Sequence, residues 1–368
     1  MLKLRSMSSN TSTEKRNLYL DTAKAFAILL VVVGHCIQYG SGAEYVQSTA
    51  FFSNPLFKAI YSFHMPLFML ISGYLFRGAL RKPAKEIILG RARSLVVPII
   101  CWTTISLMLH IARSIGSDTL TLSNIVSTFL SQLTILWFLW AVFLWSVGVV
   151  IINKRLNDSI WVYIALFLLL FATPVNYNIG LLAYMYPFFV GGYLYNHYNL
   201  AEKLHRIYSL PYLPLLLGAI FFAMLYHFDV EDYIYVSGYT LVGNDACTQL
   251  SIDLYRSAIG FVGSAFVLSS LYTLFHNVGL KRAITHGGII ADIGRNTLGI
   301  YVVSVYINGL TGDLTRSLSG LSYPLLLVES ICTIALSMLI IKLIQRNRTL
   351  NRYLLGGKRS TSHVAHEQ

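Results

Sequence analysis

Charge is scarce in this chain. Asp, Glu, Lys and Arg make up 12% of its 368 residues, about half the share of a soluble domain. With 55% hydrophobic residues and a mean hydropathy of +0.60, that scarcity excludes a disordered chain and a heavily solvated globule. Cysteine is scarce too. Cys36, Cys101, Cys247 and Cys332 have no metal-ligand spacing and no evident pairing, so they read as packing residues and no metal cofactor is expected. No internal repeat is visible, which weighs against the paired halves of many secondary transporters. Acidic residues are the rarest charges, 16 against 28 basic, for a net charge of +12. That excess invites a nucleic-acid reading, but its distribution argues against one.

What the chain does have is apolar blocks of bilayer-spanning length. They predict an all-α polytopic membrane protein of about ten transmembrane helices, near 19–39, 56–77, 94–113, 133–152, 159–173, 179–196, 209–227, 254–275, 289–310 and 323–344. The fifth is the weakest, short and ended by Pro174. The first block is too long for a signal-peptide core and carries Asp21 and Lys24, so it reads as an uncleaved span. Taking both termini and alternate loops as one side collects most of the basic residues, including Arg77, Arg81, Lys82, Lys85, Arg91 and Arg93. Only Lys58, Arg113, Arg256 and Arg316 fall on the other. The positive-inside rule then puts both termini in the cytoplasm and accounts for the charge without nucleic acid. The expected organisation is a cytoplasmic tail over 1–17, a transmembrane domain over 18–345 and a cytoplasmic tail over 346–368, with polar ends at 1–13 and 356–368.

Two ionisable residues interrupt the first block. Lys24 and His35 are eleven positions apart, three helical turns plus roughly 20°, so they share one face about 16 Å apart. They cannot touch each other, but they could touch two ends of one elongated ligand. A mid-span lysine costs about 2.5–3.5 kcal/mol, and such residues usually face a polar cavity. Imidazole is the usual general base near neutral pH. Plainer accounts exist: an interhelical hydrogen bond for His35, and for Lys24 an i,i+3 pair with Asp21 or snorkelling to the interface.

The second block reads Phe63-His64-Met65-Pro66-Leu67-Phe68, then Ile71-Ser72-Gly73-Tyr74. Running the opposite way, it brings His64 to a depth near that of His35. Pro66 can bend the helix, and Ser72-Gly73 permits close helix approach. Arg91 and Arg93, just before Pro98, could grip phosphates, although loop anchoring is the ordinary role of such charges. Trp137-Phe138-Leu139-Trp140 reads first as an aromatic belt. The longest outer loop carries Asp229, Glu231, Asp232 and Tyr235, suited to a hydroxyl-rich sugar but equally to plain solvation.

These motifs resemble a known family. Leu20-Asp21-Thr22-Ala23-Lys24 with His35, and the Phe63–Tyr74 motif above, are similar to the first two helices of the integral-membrane acyltransferase-3 family, in its fucose 4-O-acetylase-like branch of bacterial O-acetyltransferases. Arg91-Ala92-Arg93-Ser94-Leu95, Leu136-Trp137-Phe138-Leu139 and Gly294-Arg295-Asn296-Thr297-Leu298-Gly299-Ile300-Tyr301 extend the likeness over residues 19–306. Where members often carry a histidine after the Ile-Tyr pair, this chain has Val302-Val303-Ser304, which puts acceptor handling in doubt. The resemblance implies a multi-pass protein of the bacterial cytoplasmic (inner) membrane. It would transfer an acyl group, commonly acetyl, from cytoplasmic acetyl-CoA to a hydroxyl of a surface or lipid-linked glycan. His35, with Lys24 and His64, would do the chemistry. Asp21, Arg91 and Arg93 would serve the donor, and Asp229, Glu231, Asp232 and Tyr235 the acceptor. The alternatives are a multi-span transporter or flippase of a glycan precursor, or a non-catalytic partner in polysaccharide assembly.

Overall fold

The computed structural model describes residues 18–41, 49–115, 121–172, 177–242, 245–277, 288–318 and 323–357, and among them no strand occurs. The principal helices are α1 (Leu18–Ser41), α2 (Pro55–Tyr61), α3 (His64–Phe76), α4 (Ala84–Arg91), α5 (Val97–Arg113), α6 (Leu122–Ile135), α7 (Trp137–Arg155), α8 (Ile160–Ala172), α9 (Tyr177–His197), α10 (Leu213–His227), α11 (Ala246–Asn277), α12 (Ile289–Arg295), α13 (Thr297–Leu318), α14 (Tyr323–Arg346) and α15 (Arg348–Leu354). Each of the ten expected segments coincides with one or two of these. Six stretches are long and apolar enough to cross a membrane: Leu18–Gly40, Pro55–Arg81, Ala84–Arg113, Trp137–Arg155, Ala246–Phe275 and Tyr323–Arg346. Shorter apolar helices lie at Ile160–Ala172, Leu213–His227 and Thr297–Thr311.

Helix α1 is the centre of the bundle. In its apolar window 72% of residues are buried, against 22% for Ala84–Arg113, so α1 is enclosed by protein while the latter helix forms the periphery. It packs on α3, α12, α13 and α14, helped by Ala23, Ala25 and Ala27, all fully buried. Helices α3 and α9 approach backbone to backbone. A Cβ at Gly73 would sit 1.9 Å from the Phe189 carbonyl oxygen, and one at Gly192 would sit 2.0 Å from that of Leu70. Only glycine fits at both points, and small residues permit such crossings when packing, not water exclusion, drives helix association.

The second apolar block is two helices rather than one. Pro66 has no N–H for the Ser62 carbonyl and its ring would collide there, so the chain breaks at Ser62-Phe63 and restarts at His64. Asn54 caps α2 by accepting from the Leu56 and Phe57 amides at 2.9 and 3.2 Å. The third block is longer than expected: α4 leads into α5 through a π turn at Ala92–Val96, the wider winding that relieves Pro98. The ninth divides at Asn296, whose amide donates to the Asp292 carbonyl at 2.8 Å and competes with the helical ladder. Helix α6 was not foreseen. Its Ser, Thr, Asn and Gln content reads as a loop, yet Thr121 caps it at the Asn124 amide and none of its residues is buried. Residues after α14 fold back on α5, where Trp102 Nε1 donates to the Leu354 carbonyl at 2.9 Å. The tail expected at 1–17 lies outside the described residues, as does 358–368 of the C-terminal one.

Candidate active site

The break at Ser62-Phe63 places His64 in the first turn of α3, beneath the end of α2. Its Nδ1 lies 2.8 Å from the Ile60 carbonyl oxygen. A carbonyl only accepts, so Nδ1 carries the proton and Nε2 of the neutral ring holds the free lone pair. Tyr61 covers the imidazole edge-to-face at 4.7 Å between centroids and rests on α1 at Gly34. His35 stands on α1 near the same level, 9% exposed. Tyr39 meets its ring edge-on at 6.3 Å, and its Nδ1 is buried without a hydrogen-bond partner among the described residues.

Both histidines line one cavity of about 40 Å³, room for about three waters. Its walls also include Tyr61, Trp137, Tyr184, Asp232, Tyr233, Tyr235, Arg256 and Tyr301. Five further stretches of chain, at Trp137, Tyr184, 232–235, Arg256 and Tyr301, thus converge on the two imidazoles. Tyr233 closes the wall by packing on Tyr61, Phe57 and Phe52, with centroids 5.7, 5.8 and 5.6 Å away.

Arg256 of α11 is 1% exposed. Its guanidinium donates to the Gly238 carbonyl at 2.8 Å and the Ser237 hydroxyl at 2.5 Å. It pairs with Asp253 at 3.2 Å and lies over the Tyr184 ring. Asp253 is fully buried and also accepts from Gln249 at 3.1 Å. The Nε of Arg256 has no partner among the described residues. Asp232, in the turn after α10, accepts from the Asp229 amide at 2.8 Å through Oδ2. Burial pushes its carboxyl above the usual range, opposed by that amide and by the Arg256 charge.

Not all the expected residues meet. Among the expected acceptor residues, Asp232 and Tyr235 reach the cavity, whereas Asp229 and Glu231 are exposed in the turn beside it. Lys24 does not line this cavity; its amine sits 2.7 Å from Asp21 Oδ1, the pair being 19% and 6% exposed. Arg91 lies over the Phe76 ring at 4.8 Å, and Arg93 is exposed. Ser304 is fully buried, its hydroxyl donating to the Tyr301 carbonyl at 3.1 Å, so it does not face the cavity, while Tyr301 does. In the sequence Arg256 counts only as one of four basic residues on the outer side. The available signal was the opposite charge three residues earlier, Asp253, at the mouth of an apolar block.

The acyltransferase domain of the acyltransferase-3 family matches residues 17–344. The chain belongs to that family. The match covers every element that lines the cavity and favours acyl transfer over the multi-span transporter. Among curated proteins, the chain is 30% identical over 300 residues to Nodulation protein NolL of Mesorhizobium japonicum (strain LMG 29417 / CECT 9101 / MAFF 303099), covering 79% of this chain and 76% of the relative. It is 29% identical over 309 residues to Nodulation protein NolL of Sinorhizobium fredii (strain NBRC 101917 / NGR234), covering 83% and 81%. No solved structure matches the chain.

Proposed function

We propose that this acyltransferase is a multi-pass protein of the bacterial cytoplasmic membrane, with ten spans and both termini in the cytoplasm, and that it acylates a hydroxyl of a surface or lipid-linked glycan. The donor is a cytoplasmic acyl-CoA, acetyl-CoA in the simplest case. The observation that carries the reading is the pair of imidazoles on one cavity, one with its tautomer set by Ile60 and the other with a buried, unpartnered nitrogen.

In this reading His35 accepts the proton of the attacking hydroxyl as the sugar oxygen bonds to the thioester carbonyl carbon. The carbon–sulfur bond then breaks, and the departing thiolate takes the proton back from the imidazolium. His64, held by Ile60, presents its unprotonated Nε2 to the same space as an acceptor for a second hydroxyl of the sugar. The Asp21–Lys24 pair, Arg91 and Arg93 lie toward the opposite end of the bundle, where the phosphates of the donor would enter. Asp232 and Tyr235 face the acceptor, with Asp229 and Glu231 at the rim.

Membranes carrying the protein should release free CoA thiol from acetyl-CoA in the presence of glycan. Mass spectrometry of the host's surface glycan should find one added acetyl unit only when the protein is present. No thiol release and no mass gain would refute the reading.

A further inference from the structure

Arg256 is unlike the other arginines in the described chain. It is enclosed by protein, its charge is already balanced by Asp253, and three contacts fix its guanidinium. Five N–H donors belong to an arginine. The three contacts leave at least Nε–H without a partner, on a residue that lines the cavity shared by the two histidines. Across the same cavity Asp232 uses Oδ2 for the Asp229 amide, and no hydrogen bond to its Oδ1 occurs among the described residues. The acceptor edge of the cavity therefore holds one fixed donor and one fixed anionic acceptor, beside the aromatic face of Tyr184.

We propose that Arg256 and Asp232 form a clamp for two neighbouring hydroxyls of a neutral pyranose, and that this clamp selects the sugar acylated. One hydroxyl accepts from Arg256 Nε–H and the adjacent one donates to Asp232. A sugar carboxylate would gain little from an arginine already neutralised by Asp253, and it would be repelled by Asp232. The small volume agrees: about 40 Å³ admits the hydroxyl edge of a ring, with the rest of the glycan lying outward. This inference rests on the acyl-transfer reading above and specifies its acceptor.

The test uses membranes containing the full chain, acetyl-CoA, and a panel of methyl glycosides of glucose, galactose and mannose. Their uronic-acid counterparts and mono-deoxy analogues complete the panel. Thiol release and acetylated product are measured separately. At least one neutral glycoside should be acetylated, with its uronic counterpart at least tenfold poorer in kcat/KM. Removing the hydroxyl beside the acetylated one should raise acceptor KM about tenfold or more. Asp232→Asn should raise KM for the neutral sugar and narrow its advantage over the uronic form. Arg256→Gln should raise acceptor KM more than it lowers kcat, and Arg256→Lys should not restore it, because a lysine cannot present Nε in that plane. Equal use of neutral and uronic sugars, or indifference to the neighbouring hydroxyl, would overturn the clamp. The substrate panel on the unmodified protein decides this even if a variant fails to fold. Thiol release with no pyranoside acetylated overturns the clamp while leaving acyl transfer standing. Absence of thiol release removes both.

Discussion

Eleven residues apart on α1, Lys24 and His35 meet opposite surroundings. The lysine amine has a carboxylate 2.7 Å away, supplied by its own helix. The imidazole has a buried nitrogen with no partner among the described residues and a cavity beside it. A charge in an apolar helix can be neutralised locally by an i,i+3 neighbour, and then the helix itself explains it. A buried polar atom left without a partner costs about 1–3 kcal/mol, which no local feature recovers at His35. The contrast separates a residue whose setting is self-contained from one whose setting is completed by something that enters.

The largest effect should come from His35. His35→Ala should lower acyl transfer by about 10²–10⁴-fold, with membrane abundance and thermal unfolding close to those of the parent. Retained transfer in a folded variant would erase the contrast between the two ends of α1. Next in size, Gly73→Leu should drive a side chain into the Phe189 backbone. A loss of about 1–3 kcal/mol or more is expected for such overpacking, read as a lower unfolding temperature in detergent. Unlike His35→Ala, this change should lower activity and stability together.

The Asp21–Lys24 pair calls for a double-mutant cycle. Asp21→Asn alone strands the amine, so it should destabilise more than the Asp21→Asn, Lys24→Met double variant. Lys24→Arg should keep part of the activity if the charge serves the donor. Equal activity in Lys24→Ala and the parent would make the pair purely structural. The smallest effect concerns pH. Because burial raises the Asp232 carboxyl, it protonates at higher pH than an exposed aspartate. Acceptor KM should therefore climb as pH falls through that raised value, and Asp232→Asn should flatten the profile. Arg256, Asp229 and Glu231 all act on this carboxyl and set where the step falls. For folding the sign is the reverse. The protonated form is the one burial favours, so this group's contribution to stability is whole below the ordinary aspartate range and is lost as pH rises through the raised value.

Much of this arrangement could be read before any coordinates. Ionisable residues inside apolar runs are conspicuous because the surrounding composition forbids them, and His35 and His64 stood out on that ground. Pro66 announced the interruption that sets His64 against Ile60, although the division into two helices needed the backbone itself. Arg256 was harder. At the edge of an apolar block it looked like one more interfacial charge, and only the return of residues 233–238 over α11 encloses it. Helix α6 was hidden for a different reason: its polar side chains match a loop in composition, and no buried face marks its period. Local chemistry thus revealed the residues that violate their surroundings, while contacts made by distant loops did not declare themselves.

The reciprocal glycine contacts between α3 and α9 carry a mechanical corollary. With no side chain between the two backbones there is nothing to compress or rotate, so these helices should travel as one stiff unit, keeping His64 on one and Tyr184 on the other at a constant spacing. Dilation that admits a sugar is then expected of the walls outside that unit, among them the segment at 228–238. Its hold on α11 includes two Arg256 hydrogen bonds, so the same guanidinium that grips the acceptor would also latch the door through which it arrives.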